Sequence, residues 1–238
     1  MENRTKALCA KAVKDLECFL NQTMQTDPNK ASKIAYWISD YISMLNKEQN
    51  FSARNLKKYK RGDIVKAHLG FRIGSEQGGL HYCIVIDVDN HINAPTLTVI
   101  PLTSVKKSTK LDNLGDKRLF LGTEIFDLLY AKSTHLINKT LVEIVEVSGK
   151  KIPSNELQRL EQLMQQAKKT KQEVLSMKSG SIALLNQIVT ISKIRIYDPL
   201  SSKNTLHGIR ISDTTLDLID EKIKKLYTKL QIDTGALL

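Results

Sequence analysis

Cysteine is scarce in this sequence and wrongly spaced for disulfides: among 238 residues only Cys9, Cys18 and Cys83 are cysteine. Two fall in a helical pattern and one in an apolar strand, which excludes a disulfide-stapled secreted scaffold and points to a reducing compartment. No Cys/His spacing of the zinc-binding kind is present, so no metal site is expected. Long apolar runs are missing too. The N-terminal stretch Leu8 to Leu20 is interrupted by Lys11, Lys14, Asp15 and Glu17, which fits neither a signal-peptide core nor a membrane span and makes a cytoplasmic setting the expectation. Acidic residues are in deficit, 25 Asp and Glu against 36 Lys and Arg, for a formal net charge of +11. That surplus favours polyanionic partners such as nucleic acid, an acidic protein segment or an anionic membrane surface, and it equally describes a merely soluble basic protein. Internal repeats and low-complexity tracts are absent, and the length suffices to bury a core without staples.

What is present begins with two helical patterns. Leu8, Ala12, Val13, Leu16, Phe19 and Leu20 fall at the three-and-four spacing of an amphipathic helix. After a Thr26-Asp27-Pro28-Asn29 turn, Ala31, Ile34, Trp37, Ile38, Tyr41, Ile42 and Leu45 make a second stripe. Asp27 suits its N-cap and Pro28 its first turn. The pair predicts an antiparallel helical hairpin over residues 1–50, whose stripes must bury against each other and against a further surface. The run Asn55-Leu56-Lys57-Lys58-Tyr59-Lys60-Arg61 then leads into the first strand. It reads either as a solvated charge run or as an aromatic among cations that meets a phosphate backbone.

Strand patterns cover Ile64 to Leu69, Tyr82 to Val88, Thr96 to Leu102, Arg118 to Leu121, Ile182 to Gln187 and Val189 to Ile194. The turn-rich link Asp89 to Pro95 makes sequential antiparallel strands the economical topology, a small curved sheet or barrel. Between the strand blocks, Ser154 to Met177 predicts a helix, with Leu157, Leu160, Met164, Ala167, Val174 and Met177 mostly on one face. Phe126 to Val147 is ambiguous: Leu128-Leu129-Tyr130 suggests helix, while Leu141 to Val147 fits helix or strand. Asp213 to Leu230, with Leu216, Ile219, Ile223 and Leu226, predicts a C-terminal amphipathic helix.

The stretch richest in site-like features joins Arg61-Gly62-Asp63-Ile64-Val65 to Gly74-Ser75-Glu76-Gln77-Gly78-Gly79 and then to an apolar strand, His81 to Val88. Gly78 and Gly79 offer backbone freedom at positive φ and leave room for a ligand, while Ser75, Glu76 and Gln77 supply acceptors just before the chain becomes buried. Such a loop reads as a plain hairpin connection or as a ligand site.

In the same order, Lys60 to Val65, the Gly74 to Gly79 loop, Cys83-Ile84-Val85-Ile86, Val99-Ile100-Pro101-Leu102-Thr103-Ser104 and Ser181 to Ile191 resemble the successive motifs of the MazF/PemK family of toxins from type II toxin–antitoxin systems. The likeness spans residues 58–123 and 179–232. It implies an α+β fold: a small curved antiparallel β-sheet or barrel core of the MazF/PemK (CcdB-like) type with peripheral helices, plus the N-terminal helical hairpin. Residues 1–50 are then an extension and 51–238 the toxin-like domain, with a helix-rich insertion over residues 124–178. The implied activity is endoribonuclease cleavage of single-stranded RNA, by metal-independent attack of a ribose 2′-hydroxyl on the adjacent phosphorus and without a cofactor. The implied partners are RNA, an antitoxin with an acidic tail and a second copy in a homodimer, with no membrane.

The family's Arg after the Gly-Gly pair is His81 here, followed by Tyr82 instead of Pro, and its Thr or Ser at the end of the third strand is Thr103. Arginine grips phosphate bidentately and stays charged, whereas histidine titrates near neutrality and can carry the proton itself. By resemblance His81 and Thr103 are catalytic, with Glu76 either orienting His81 or standing as a solvated carboxylate. Arg61, Arg72, Ser75, Gln77, Gly78, Gly79, Ser104 and Gln187 are the implied RNA contacts. Asn186 and Val189 occupy positions where members often carry an acid and an Arg; Lys106, Lys107 and Lys193 are further cations able to compensate. The alternative is a catalytically degenerate nucleic-acid- or protein-binding member of the same fold, with a gyrase-directed toxin as a third reading.

Overall fold

The computed structural model describes residues 2–149, 152–177 and 180–229. They group into two units: the described residues up to Phe51 together with Leu69–Gly79, and Ser52–His68 together with the described residues from Leu80 onward.

The first unit is built on two helices, α1 (Glu2–Thr26) and α2 (Pro28–Glu48). Asp27 is the N-cap of α2, its carboxylate accepting from the Lys30 amide at 2.9 Å, and Pro28 sits in the first turn where no amide is needed. Within the two helices only Thr23, Ala31 and Ile34 are buried; Leu8 and Val13 are 67% exposed and Tyr36 74%. Within this chain most of both stripes is therefore left exposed. Two helices share one seam, which covers only part of each stripe.

The second unit holds a seven-stranded sheet: β1 (Ile64–His68), β2 (Leu80–Val85), β3 (Thr96–Ser104), β4 (Arg118–Phe120), β5 (Ser181–Leu184), β6 (Val189–Ser192) and β7 (Ile196–Asp198). The order is β4-β5-β3-β2-β1-β7, with β6 also on β3, and every pair is antiparallel. The sheet is open, with β4 and β7 at its ends, so of sheet and barrel the chain takes the sheet. The fold is α+β as the sequence led one to expect. Both β5 and β6 line one edge of β3: Leu102 pairs with Ala183, and Val99 with Val189. Between them Leu185–Gln187 forms a 3-10 turn, so the motif Ser181 to Ile191 is one strand interrupted by a bulge.

The bulge explains a proline in the central strand. The Ile86 amide bonds the Thr98 carbonyl, and alternation along the ladder then turns the nitrogen of Pro101 away from Cys83, towards the β5–β6 edge. A proline has no proton to give there, and the partner strand is interrupted at that level.

Three further helices belong to this unit: α3 (Glu124–Val147), α4 (Ser154–Ser176) and α5 (Asp213–Tyr227). The ambiguous Leu141 to Val147 is helix. The expected end of the last helix, Leu230, lies outside the described residues. Ile64, Ile84, Ile100 and Leu102 on one sheet face pack with Ile125 and Leu129 of α3, Val174 of α4 and Ile219 of α5. On the other face Val65, Ala67, Cys83, Val85 and Val99 are fully buried as well, which is why the strands read as apolar runs instead of clean alternation. Burial pushes the Cys83 thiol up to about 12, far from a reactive thiolate. One of the polar anchors of the 124–178 stretch reaches the sheet. Glu173 of α4 accepts from the Lys66 ammonium at 2.6 Å and from the Tyr82 hydroxyl, and Lys66 and Tyr82 are cross-strand partners.

Candidate functional site

The loop that joins β1 to β2, Leu69–Gly79, has its mouth closed by two backbone bonds, Gly79 amide to Gly70 carbonyl at 2.7 Å and Leu69 amide to Gly79 carbonyl at 2.8 Å. The two glycines do different work. Gly79 has φ +88°, while a methyl on Gly78 would stand 2.7 Å from the Gly70 carbonyl oxygen. The sequence argument from positive φ thus holds for Gly79, whereas Gly78 is required by close approach of backbone to backbone. Arg72 folds back on the same loop, its Nε donating to the Leu69 carbonyl at 2.8 Å, with Glu76 at 3.8 Å. Ser75 and Glu76 are exposed; Gln77 is half-buried.

Beyond the loop, β2 carries His81 and β3 ends in Thr103 and Ser104. The β2–β3 pairing ends at Cys83 with Pro101, two residues short of His81 on one strand and of Thr103 on the other. His81 Nδ1 lies 3.2 Å from the Leu102 carbonyl oxygen. A carbonyl only accepts, so Nδ1 carries the proton of the neutral ring and Nε2 holds the lone pair. Both side chains are half-buried at the end of the sheet where the loop emerges.

Residues 60–121 match the family model described as PemK-like, MazF-like toxin of type II toxin-antitoxin system. This segment is similar to the PemK/MazF toxin family. No curated protein matches the chain. The PemK/MazF segment runs from the start of β1 through β4 and contains the loop, His81 and Thr103. The hairpin, α3, α4 and β5 to β7 lie outside the match.

Two of the cations named from sequence, Arg61 and Lys193, are committed to contacts within the fold. Arg61 pairs with Asp220 of α5 and donates to the carbonyl of Ile86, just past the end of β2 and five residues on from His81, about 17 Å of extended chain. In the basic approach to β1, Lys58 and Lys60 are solvated as one reading expected, while Tyr59 and Lys57 are drawn into the fold. Tyr59 is fully buried, its hydroxyl bonded to the Pro199 carbonyl at 2.7 Å, with the Lys57 and Lys193 ammonium groups 5.4 and 5.7 Å from its ring centre. Lys57 also pairs with buried Asp63 at 2.6 Å. Lys193 is 1% exposed, and burial lowers its pKa from the ordinary lysine value. Lys106 and Lys107 are exposed just past Ser104, and Ser104 pairs with Ser181. Gln187 sits in the bulge, on the β3 edge that also receives Thr103.

One cation was not singled out from sequence. Arg195 Nη1 donates to the carbonyl of His68 at 3.3 Å, one residue past Ala67, the cross-strand partner of His81. Its position depends on β7 returning to β1, and three residues of strand leave almost no pattern to read. Among the described residues no three His, Cys, Asp or Glu side chains come together as metal ligands, and no helix is long and apolar enough to cross a membrane.

Proposed function

We propose that the chain is a toxin-type endoribonuclease that cleaves single-stranded RNA without a metal or cofactor. The observation that carries this reading is the bond of His81 to the Leu102 carbonyl, in the residue next to Thr103, within the segment that matches the PemK/MazF family. In the proposed reaction Nε2 of His81 takes the proton from a ribose 2′-hydroxyl, whose oxygen attacks the adjacent phosphorus. The bond from phosphorus to the 5′-oxygen breaks, that oxygen is protonated, and the products are a 2′,3′-cyclic phosphate and a 5′-hydroxyl. The Thr103 hydroxyl donates to a phosphoryl oxygen as charge builds there. Arg72, Ser75, Gln77, Gly78, Gly79, Ser104 and Gln187 are the proposed RNA contacts, with Glu76 holding Arg72. Arg61 serves mainly to tie β1 to α5.

The same reading takes a cytoplasmic setting, a homodimer and an antitoxin whose acidic tail competes with RNA, in keeping with a net charge of +11. The test is incubation of purified, antitoxin-free protein with a broad set of RNAs in chelator, with product ends mapped. Cyclic phosphate and 5′-hydroxyl ends are expected. Binding without cleavage by folded protein would replace this reading with a catalytically degenerate binder, the alternative that histidine in the family's Arg position favours.

A further inference from the structure

The first unit contains a cleft of about 600 Å³ lined from three sides: Phe19 near the end of α1, Asp27, Lys30 and Lys33 at the start of α2, and Phe71 and Arg72 of the loop. That volume is in the range of small-ligand sites. Three cations face one carboxylate, and the carboxylate is already committed to capping α2 through the Lys30 amide. Lys30 and Lys33 have no ion-pair partner among the described residues, and Arg72, whose Nε bonds the Leu69 carbonyl, has its Nη1 3.8 Å from Glu76. The first turn of α2 contains no acid, so two lysines stand where the helix dipole is already positive, an arrangement that costs stability until an anion offsets it. Two phenyl rings also line it, Phe19 46% and Phe71 41% exposed. A flat ring with no hydrogen-bonding group, left in water beside unpaired cations, suits a ligand with both a π face and a negative charge.

We propose that this cleft is a subsite for single-stranded RNA, in which Phe19 and Phe71 stack a base while Lys30, Lys33 and Arg72 take the neighbouring phosphates. It rests on the RNA reading above, and it gives the N-terminal hairpin, which the family match does not cover, a part in holding substrate. The three-residue step from Lys30 to Lys33 sets their Cβ atoms about 5–6 Å apart, suited to consecutive phosphates along a strand. An acidic peptide would satisfy the lysines and leave both rings unused.

The experiment measures binding of full-length protein to a fluorescent, fully 2′-O-methylated single-stranded oligonucleotide, which cannot be cleaved, over a series of salt concentrations. The Lys30→Ala/Lys33→Ala double variant should weaken binding about tenfold and reduce the slope of log affinity against log salt by about 1.4, two phosphates' worth on a single strand. Phe71→Ala should weaken binding about tenfold with the slope unchanged, since stacking carries no charge. Lys47→Ala, at the far end of the same helix, should change neither, and circular dichroism verifies helix content in each variant. An equal effect from Lys47→Ala, an unmoved slope in the double variant, or loss of binding to an acidic peptide with RNA binding intact would each overturn the subsite. Cleavage is scored separately on unmodified RNA. Intact cleavage with unmoved binding sinks the subsite alone, and absent cleavage with the expected slopes sinks the nuclease reading alone.

Discussion

At His81 the two ring nitrogens have different tasks, and substitution separates them. Alanine removes both the hydrogen bond to the Leu102 carbonyl and the proton carrier, so turnover should fall by about 10²–10⁴-fold, with the melting temperature little changed because the side chain is only half-buried. His81→Arg restores the family's cation without a titrating base. Retained cleavage in that variant would indicate that phosphate clamping outweighs proton transfer, and full activity in His81→Ala would move the chemistry off this residue. Sequence made His81 and Thr103 visible because they sit at fixed offsets from a glycine pair and a strand end. It could not show which lysines are buried. The period-two pattern of Val189 to Ile194 runs on through Lys193, yet β6 ends at Ser192 and a 3-10 turn, Lys193–Arg195, carries the Lys193 side chain to the buried ring of Tyr59.

Among the elements, the α3–α4 pair is tied to the β1–β2 strands through Glu173. Glu173→Ala leaves the Lys66 ammonium and the Tyr82 hydroxyl without their carboxylate and should cost about 2 kcal/mol, read as a lower denaturant midpoint with an unchanged slope. Glu173→Gln keeps an acceptor for Tyr82 and should lose less. An alanine variant as stable as the parent would show the anchor to be dispensable. The helices with strong caps and long stripes were legible in the sequence, α2 above all, because Asp27 and Pro28 mark its start. Leu141 to Val147 was not, since seven residues satisfy both periods, and its helix is decided by continuity with Leu129 and Ile125 in the core. The bulge at Leu185–Gln187 was hidden for a different reason. Its cue is Pro101, more than eighty residues away in sequence, and only the pairing of β3 with β5 and β6 joins the two.

For the whole molecule, the grouping of Leu69–Gly79 with the helical hairpin makes the first unit discontinuous in sequence. Removing residues 1–50 should therefore lower amide-exchange protection at Gly79, whose partner is the Gly70 carbonyl, while β2 and β3 amides keep theirs because the core around Ile84 and Ile100 is built without the hairpin. Equal loss in both places would mean that the hairpin supports the sheet itself. Tyr59 and Tyr82, two of the seven tyrosines, carry a further consequence. Burial first, then Asp198 and Asp63 for Tyr59 and the bond to Glu173 for Tyr82, hold both phenols protonated well above the ordinary tyrosine value. The folded chain thus keeps protons that the unfolded chain releases near pH 10, so this contribution to stability is intact below that pH and is lost as pH rises beyond it. Alkali should consequently produce a late rise in phenolate absorbance that coincides with loss of near-ultraviolet dichroism, and the Tyr59→Phe/Tyr82→Phe double variant should lack it. The two phenols make the chain's own optical spectrum a gauge of whether the sheet is closed to solvent.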